Sequence, residues 1–427
     1  MNHPRLSSVP LLTTILLALT LGANASAQSS DDDYDDGDPW LGFESHTSPA
    51  DSATISRFLR SLAAADPVVC QLAVSSIGNH WGHWDSDERI GLLSDEANES
   101  AARDALSQNI ADPGALSLLA VSLGDQHPCL RRTAARMLGD SHSTYGLRLL
   151  RSSLQNANPR VRESAALGLA HAEDPGSFRD LTSALKDKDP SVIRMGAYAL
   201  GELEDARAVK PLADLLGSRD PATRATAARA LGEIEDIRAV DRLKDLVGDD
   251  DPRVRLVAVQ ALGEIEDYRS TGALNGALKD KDVRVRRAAA EALGEVEDQK
   301  AAGPLEKALE DPDPVVRRLA AQSLGELDGL KRAPSRLVTA LTDRDTELAV
   351  IAAKALGEIG DTTVVPALAT AYRNDNPRVR YSVVSALADL DDGRGTAVLE
   401  LARKDQDQIV RHKAAEALKD REDDHDD

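Results

Sequence analysis

A register of 31 residues recurs from about Asp66 to Lys419, and it constrains the fold more than any other feature of the chain. Its anchor is an Asp-Pro pair or a close variant, and in most units a glycine follows eleven residues after the second member. The pairs are Asn158-Pro159, Asp189-Pro190, Asp220-Pro221, Asp251-Pro252, Asp282-Val283, Asp313-Pro314, Asp345-Thr346, Asn376-Pro377 and Asp407-Gln408. The Asp-Pro pair and the glycine recur with the same period. This predicts a stack of similar units, none of which can bury its apolar surface alone.

Each unit is predicted to form two helices, as residues 220–253 illustrate. Asp220 is a good N-cap and Pro221 suits the first helical position, so a helix is predicted from Pro221 to Gly232. The acidic stretch 232–236 ends this helix, and a second helix is predicted over roughly 238–247. Because two short amphipathic helices per unit must stack on both neighbours, the predicted fold class is all-α, an α-solenoid of about twelve two-helix repeats.

Leucines recur at one position of each predicted helix, and we assign both sets to the core. The first helix also carries alanine or another small residue at its sixth and seventh positions, which lets neighbouring helices approach closely. The leucines of the first helix are Leu138, Leu169, Leu200, Leu231, Leu262, Leu293, Leu324, Leu356, Leu387 and Leu418. Those of the second helix are Leu181, Leu212, Leu243, Leu274, Leu305, Leu337, Leu368 and Leu399. As core positions, they are not candidates for ligand contacts.

The pattern resembles the HEAT-repeat family, and specifically its short-repeat branch known from phycobilisome lyase subunits. Runs such as Val285-Arg-Arg-Ala-Ala-Ala-Glu-Ala-Leu-Gly294 and Val365-Pro-Ala-Leu368 carry this resemblance, which spans about Asp51 to Asp420 with the first two or three units irregular. The resemblance implies that the helix with the Val-Arg-x-x-Ala run, and therefore 222–232 and its equivalents, lines the concave side. It implies a fold and not an activity, since such repeats serve scaffolds and enzymes alike.

The N-terminus has the features of a secretory signal peptide. Arg5 precedes an apolar run from Val9 to Leu21, and the tripeptide Ala25-Ser26-Ala27 suits cleavage before Gln28. The predicted localisation is therefore periplasmic or secreted. The predicted domains are a signal peptide at 1–27, a disordered acidic leader at 28–50, irregular N-terminal capping repeats at 51–127, the regular solenoid at 128–420 and an acidic tail at 421–427.

Charge and hydropathy argue against several classes of partner. The net charge of −21 disfavours nucleic acids and anionic membrane surfaces, because phosphate binding needs concentrated Lys and Arg. After signal cleavage no apolar run approaches the roughly 20 residues of a membrane-spanning helix, so no integral membrane segment is expected. Only 3% of the residues are aromatic, which suits many small interfaces better than one large core. We expect a monomer.

The sequence contains two cysteines, Cys70 and Cys129, and in an exported protein they invite a disulfide. The register, however, places them about two units apart. Packed helices lie about 8–10 Å apart, whereas bridged Cα atoms must lie within about 7 Å. A regular stack therefore predicts two buried free thiols. A bridge would require that the unit between them, near 96–106, be folded back or degenerate.

Two sets of charged residues recur with the repeat. An arginine stands three residues after the anchor, and we interpret it as a structural group that bridges carboxylates of its own and the next unit. A glutamate follows the recurring glycine, and we interpret this row as a solvated acidic rim, since catalytic pairs occur once per site and not once per repeat. The arginines are Arg131, Arg162, Arg224, Arg255, Arg286, Arg317, Arg380 and Arg411. The glutamates are Glu202, Glu233, Glu264, Glu295, Glu326 and Glu358.

Positions that differ between units are better candidates for function than those that repeat. Residues four and eight places after the anchor share one helix face, and there the chain is basic with interspersed apolar residues. Because arginine and tyrosine are enriched at binding hot spots, we predict a partner-binding groove from Arg194 to Tyr381, whose basic character favours an acidic partner. The predicted partner-binding residues are Arg132, Arg136, Arg194, Tyr198, Arg229, Gln260, Arg287, Arg318, Lys354 and Tyr381.

The segment His80-Trp81-Gly82-His83-Trp84 holds two of the three tryptophans. Our leading interpretation is a cap over the end of the stack, because terminal repeats need special surfaces. Secondary binding of a peptide or glycan by Trp81 and Trp84 is the alternative. His80 and His83 have no third ligand at a suitable spacing, so no metal site is predicted.

The sequence favours a binding protein over an enzyme. It contains no phosphate-binding glycine loop, His-Glu-x-x-His helix or cysteine cluster, so no catalytic residue and no cofactor are predicted. We expect a non-catalytic exported scaffold that holds a protein or extended peptide along the concave face of the solenoid. The alternative is a lyase-type enzyme or enzyme subunit related to bilin lyases, but the cytosolic substrates of that family fit poorly with an export signal. A HEAT-repeat di-iron hydroxylase would need His-Glu pairs, and the sequence has no His-Glu dipeptide.

Overall fold

The computed structural model describes residues 51–63 and 110–423. Within these ranges it consists of 21 α-helices joined by turns and contains no β-strand, which confirms the predicted all-α solenoid. Its contacts divide the chain into two compact units, the first ending at Ala199 and the second beginning at Leu200. The predicted signal peptide and acidic leader lie outside the described residues.

Long and short helices alternate: from α3 onward the odd-numbered helices are the long ones. The first unit contains α1 (Ser52–Ala63), α2 (Pro113–Ser122), α3 (Pro128–Asp140), α4 (Thr144–Ser153), α5 (Pro159–Ala172), α6 (Phe178–Ala184) and most of α7 (Pro190–Glu202). The second contains α8 (Val209–Leu215), α9 (Pro221–Glu233), α10 (Val240–Leu246), α11 (Pro252–Glu264), α12 (Thr271–Ala277), α13 (Val283–Glu295), α14 (Ala302–Ala308), α15 (Pro314–Glu326), α16 (Ser335–Ala340), α17 (Thr346–Ile359), α18 (Val365–Ala371), α19 (Pro377–Asp389), α20 (Thr396–Ala402) and α21 (Gln408–Asp423).

The sequence anchor starts the long helices as predicted. The Asp220 carboxylate accepts hydrogen bonds from the backbone N–H groups of Ala222 and Thr223, at 3.3 and 3.1 Å, and Pro221 is the first helical residue. These bonds satisfy N–H groups that have no partner inside the helix. The helix ends at Glu233, one residue beyond the predicted end.

A left-handed residue turns the chain from each long helix toward the next short one. After α9 this residue is Glu235, with φ of 52°, and Asp236 then caps a 3-10 turn that leads into α10. From Asp313 to Asp345 the repeat is one residue longer than the usual 31, and there the position is taken by Gly329, in the longer connection between α15 and α16. Left-handed backbone is unfavourable for residues with a Cβ. Glycine takes the position again at Gly360, whereas five repeats hold a glutamate there and two hold His142 and Asp391.

The recurring leucines form the core, as predicted. The ten leucines of the long helices are at most 8% exposed, and the eight of the short helices are fully buried. Small residues separate them, for example the buried pair Ala227 and Ala228 in α9. Because these positions carry only a methyl group, neighbouring long helices such as α9 and α11 pack side by side along most of their length.

Glycine is required near the end of the long helices because the next repeat comes too close for a side chain. A Cβ atom at Gly263 would lie 2.1 Å from Oε2 of Glu295 and 2.8 Å from Cβ of Ala292, both in α13. We call this arrangement the glycine–glutamate contact. It recurs between Gly201 and Glu233, Gly232 and Glu264, Gly294 and Glu326, and Gly325 and Glu358. The glycine and the glutamate of the sequence register are therefore two halves of one contact between repeats.

The expectation of two free thiols needs correction. Cys129 is disulfide-bonded, so the prediction that it is a free thiol is wrong. The distance argument failed because it assumed regular stacking between the two cysteines; Cys70, the other cysteine of the sequence, lies outside the described residues. At the other end, α21 continues to Asp423, beyond the predicted boundary at residue 420. The Arg421 guanidinium fixes this last turn by binding Asp391 and the Leu387 carbonyl oxygen.

Substituting alanine at two glycines of neighbouring helices tests the glycine–glutamate contact. Gly263→Ala should lower the free energy of unfolding by about 1–3 kcal/mol, since the new Cβ meets both Glu295 and Ala292. Gly276→Ala is the matched control, because Gly276 lies in α12 with no atom within 4 Å of an added Cβ. It should raise stability by up to about 1 kcal/mol through helix propensity. Urea denaturation followed by circular dichroism measures both changes, and equal effects would contradict the contact.

Candidate partner-binding surface

The long helices of the second unit expose one face to solvent. On α11, Arg253, Gln260 and Glu264 are exposed and Leu256 is half-buried, whereas almost every other residue is buried. These four residues stand one, four, eight and twelve places after the anchor proline. We call the surface formed by these positions on α9, α11, α13, α15, α17 and α19 the outward face. It contains the positions four and eight that sequence analysis selected.

The predicted partner-binding residues of the second unit all lie on the outward face. Gln260, Lys354 and Tyr381 are exposed, and Tyr381 keeps 38% of its surface in solvent. The other three, Arg229, Arg287 and Arg318, are half-buried.

The predicted partner-binding residues of the first unit differ in their exposure to solvent. Arg132 is exposed, and Arg194 and Tyr198 are half-buried. Arg136 is only 2% exposed, so its side chain is not available to a partner, contrary to its prediction as a partner-binding residue. The physical reason is that α3 packs against α1 as well as α5, a neighbour that the repeat register does not reveal.

In five long helices, α5, α9, α11, α13 and α19, the recurring arginine joins two turns of the stack. Arg255 donates from Nε and Nη2 to the Asp280 carboxylate, at 2.7 and 2.8 Å, and from Nη1 to the Asp249 carbonyl oxygen, at 2.8 Å. It thereby ties the turn before α11 to the turn before α13, an arrangement that we call the arginine clamp. The same two-pronged carboxylate pairing joins Arg162 to Asp187, Arg224 to Asp249, Arg286 to Asp311 and Arg380 to Asp405.

Both side chains of the arginine clamp are largely buried, and the pairing favours the ionised form of the aspartate. Only 7% of the Arg255 side chain and 12% of the Asp280 side chain are exposed. The hydrogen bonds from Arg255 hold the pKa of Asp280 below its ordinary value, and the Asp282 backbone N–H also donates to this carboxylate. The structure therefore confirms the structural interpretation for Arg162, Arg224, Arg255, Arg286 and Arg380, with one change. The partners within their own unit are backbone carbonyls, and the carboxylate comes from the next unit.

Two arginines of the predicted groove have a structural partner as well. Arg287 binds the Asp313 carboxylate at 3.0 and 2.8 Å, and Asp313 is the N-cap of α15. Arg318 binds Asp345, the N-cap of α17, in the same way. These cations therefore hold the start of the next long helix, and their charge on the outward face is already matched.

The glutamate row is only partly the solvated rim that the sequence suggested. Glu264 and Glu295 are exposed, as are the equivalent residues of α15 and α17. Glu233, in contrast, is half-buried, and its Oε2 atom is buried without a hydrogen-bond partner among the described residues. Burial, followed by the charge of Glu202, raises the pKa of Glu233 to about 7. The solvated interpretation is therefore wrong for Glu233.

Sequence analysis missed the aspartates that complete the arginine clamps. They stand two residues before the anchor, and the signal that could have found them is a constant distance of 25 residues from the arginine. Each also accepts a hydrogen bond from the backbone N–H two residues later, which shapes the turn. The aspartates are Asp187, Asp249, Asp280, Asp311 and Asp405.

Trp81, Trp84, His80 and His83 lie outside the described residues. Within residues 51–63 and 110–423, no three His, Cys, Asp or Glu side chains are grouped so that they could hold a metal ion. In the same part of the chain, every helix is too short or too polar to cross a membrane.

Comparison with known proteins places the repeats in a family. A family model described as HEAT repeats matches residues 115–199, 178–255, 245–325 and 334–419. An engineered protein of known crystal structure is 22% identical, with a TM-score of 0.46 over 71% of this chain and 98% of its own. The YibA protein of Escherichia coli is also 22% identical, with a TM-score of 0.43 over 57% of this chain and 92% of its own. No curated protein matches the chain in sequence.

Removing one arginine clamp should strongly weaken the stack. Arg255→Ala leaves the buried Asp280 carboxylate without its cation, so we expect a loss of about 3 kcal/mol in the free energy of unfolding. The matched control is Arg253→Ala in the same helix, because Arg253 is 65% exposed and pairs with Asp251 of its own turn. This control should change stability little, as is usual for surface ion pairs. Urea denaturation measures the free energy of unfolding of both variants. A similar small loss in both would contradict a structural role for the clamp.

Proposed function

The chain belongs to the HEAT-repeat family, and from this premise we propose that it is a non-catalytic scaffold that binds a protein or an extended peptide along its outward face. A stack of helical hairpins presents an extended surface, which suits a partner that contacts several repeats in succession. The short step of 31 residues also leads us to propose that the repeats are of the branch known from phycobilisome lyase subunits. That second proposal concerns the repeats and not an activity.

The observation that carries the proposal is the contrast between repeated and unrepeated positions. Core leucines, capping aspartates, arginine clamps and glycine–glutamate contacts recur from repeat to repeat, so they build the scaffold and cannot distinguish one partner from another. The positions four and eight places after the anchor differ among most repeats, although arginine stands at the first of them in both α13 and α15. In chain order from α9 to α19 they are Ala225, which is buried, and Arg229, Leu256 and Gln260, Arg287 and Glu291, Arg318 and Gln322, Val350 and Lys354, and Tyr381 and Ser385.

The charge of these positions does not by itself select an acidic partner. Arg287 and Arg318 are paired with aspartates of the chain, and Lys354 lies 3.3 Å from Glu358. We therefore propose that recognition depends on exposed side chains such as Tyr381 and Gln260. A tyrosine contributes a large, rigid apolar surface together with a hydrogen-bonding hydroxyl, which explains its enrichment at hot spots.

We also propose that the chain is exported to the periplasm or secreted and acts as a monomer. The apolar run from Val9 to Leu21 and the Ala25-Ser26-Ala27 tripeptide support export. The disulfide at Cys129 supports it too, because structural disulfides persist mainly in oxidising compartments.

A triple substitution tests the binding surface. Gln260→Ala, Lys354→Ala and Tyr381→Ala together should weaken binding of the partner about 100-fold, since each truncation at a hot spot costs roughly 1 kcal/mol or more. The partner is first recovered from an envelope extract with the full chain, and its affinity for each variant is then measured by titration. The matched control replaces Lys210, Arg242 and Lys307, which are exposed on short helices, by alanine. Equal affinity of both triple variants would contradict the proposed surface.

Export is tested by the mass of the native protein. When the full chain is expressed in a bacterium, its mature form should begin at Gln28 and appear outside the cytosol. Intact-mass spectrometry of the fractionated cells identifies the N-terminus. Recovery of the uncleaved chain from Met1 in the cytosolic fraction alone would contradict the proposal.

A further inference from the structure

Glu233, Glu264 and Glu295 end three successive long helices and form a row in which carboxylates face one another. We propose that Glu233 and its neighbours in this row take up protons as the pH falls from about 8 to about 6, so that the repeat stack becomes more stable. This inference concerns the stack itself and does not depend on the proposed binding function. It stands on the position of the Glu233 carboxylate, its hydrogen bonding and the charges that face it.

The Glu233 carboxylate is forced into the contact between two long helices. Its Oε2 atom lies 2.2 Å from the place where a Cβ of Gly201 would be, so it fills the space that the glycine leaves. This oxygen is buried and accepts no hydrogen bond among the described residues. An ionised carboxylate in such a place has lost its water without gaining a donor, whereas a protonated one loses much less.

The helix itself adds to the cost of ionisation. Glu233 is the last residue of α9, and the backbone carbonyl groups at a helix C-terminus carry partial negative charge. The same position is occupied by Glu264 in α11 and Glu295 in α13.

The elements packed against Glu233 present mostly negative groups. Glu202 faces it from α7, Glu204 from the turn after α7 and Glu264 from α11. Among the described residues, the strongest opposing charge is that of Arg229, one turn earlier in α9. Each of these negative charges disfavours ionisation of Glu233. Arg229 favours it, but the same arginine also faces Glu264.

The neighbouring members of the row have similar surroundings. Glu264 is faced by Arg229 and by Glu235 from the turn after α9. The carboxylates that face Glu295 are Glu291 on its own helix, Glu264 on α11, Glu266 in the turn after α11 and Glu326 on α15. Although both residues keep part of their surface in solvent, partial desolvation by the neighbouring helices, followed by these charges, raises the pKa of Glu295 to about 7, and partial desolvation also raises the pKa of Glu264.

The sign of the pH dependence follows from the direction of these shifts. Burial raises the pKa of Glu233 from 4.5 to about 7, so in this range the folded chain binds a proton that the unfolded chain does not. The resulting stability is fully present below about pH 4.5 and is lost as the pH rises through about 7. The arginine clamps behave in the opposite way, since lowered carboxylate pKa values cost stability only in acid. A loss of stability between about pH 6 and 8 therefore points to the glutamate row and not to the clamps.

The test compares Glu233→Gln with Glu297→Gln in urea denaturation between about pH 5.5 and 8.5. Gln resembles the protonated acid, so Glu233→Gln should lose the pH dependence that Glu233 contributes, which is at most about tenfold in the unfolding equilibrium constant per pH unit. Glu297 is exposed and does not face Glu233, Glu264 or Glu295, so its variant should follow the wild type. Histidines elsewhere in the chain affect all three proteins equally, and the difference between profiles is the readout.

A second variant, Arg229→Gln, tests the proposal if Glu233→Gln does not fold. Arg229→Gln removes the cation that faces Glu233 and Glu264, so it should move the loss of stability to higher pH. The proposal is overturned if wild type and Glu233→Gln have parallel profiles across this range. If Glu233→Gln does not fold, an unchanged profile in Arg229→Gln overturns it, and a shift to higher pH supports it.

Discussion

The close approach of successive long helices is the constraint on which the rest of this structure depends. A pair of short helices cannot bury its own apolar face, so each repeat must be covered by its neighbours. The approach requires small residues along the contact and a glycine where the next repeat places its glutamate. Because a Cβ at Gly263 would meet both Glu295 and the Ala292 side chain, a shift of one residue in the stacking would put a larger side chain there. Close packing therefore also fixes the register between repeats.

The features that sequence analysis predicted correctly are those that depend on neighbours along the chain. Asp220 caps a helix because its side chain reaches N–H groups two and three residues away, and Leu262 is buried because its position repeats with the period of the stack. Such relations can be derived from spacing alone. The capped helices, the core and the solenoid were therefore predictable.

The features that sequence analysis missed depend on distances between repeats. Arg255 and Asp280 are 25 residues apart in the chain. This separation does not predict their contact unless the relative positions of neighbouring repeats are known. The glycine and the glutamate of one contact were both recognised, but as separate features, for the same reason. The prediction for Arg136 was wrong for a different reason. Its helix packs against α1, which lies more than 70 residues before Arg136 and precedes the first unit of the 31-residue register. A repeat pattern predicts what repeats and fails at the ends of the array.

The two contacts that join neighbouring long helices have opposite electrostatic character. At the N-terminal end the arginine clamp places a carboxylate between a guanidinium and a backbone N–H, and it requires that Asp280 stay ionised. At the C-terminal end the glycine–glutamate contact places a carboxylate against a helix terminus and other carboxylates, which favours the protonated form. In α9 and α11, acid therefore weakens one end of the helix and alkali weakens the other. Since the proposed binding positions of the outward face lie between these ends, their spacing depends on two contacts that are strongest together only at intermediate pH.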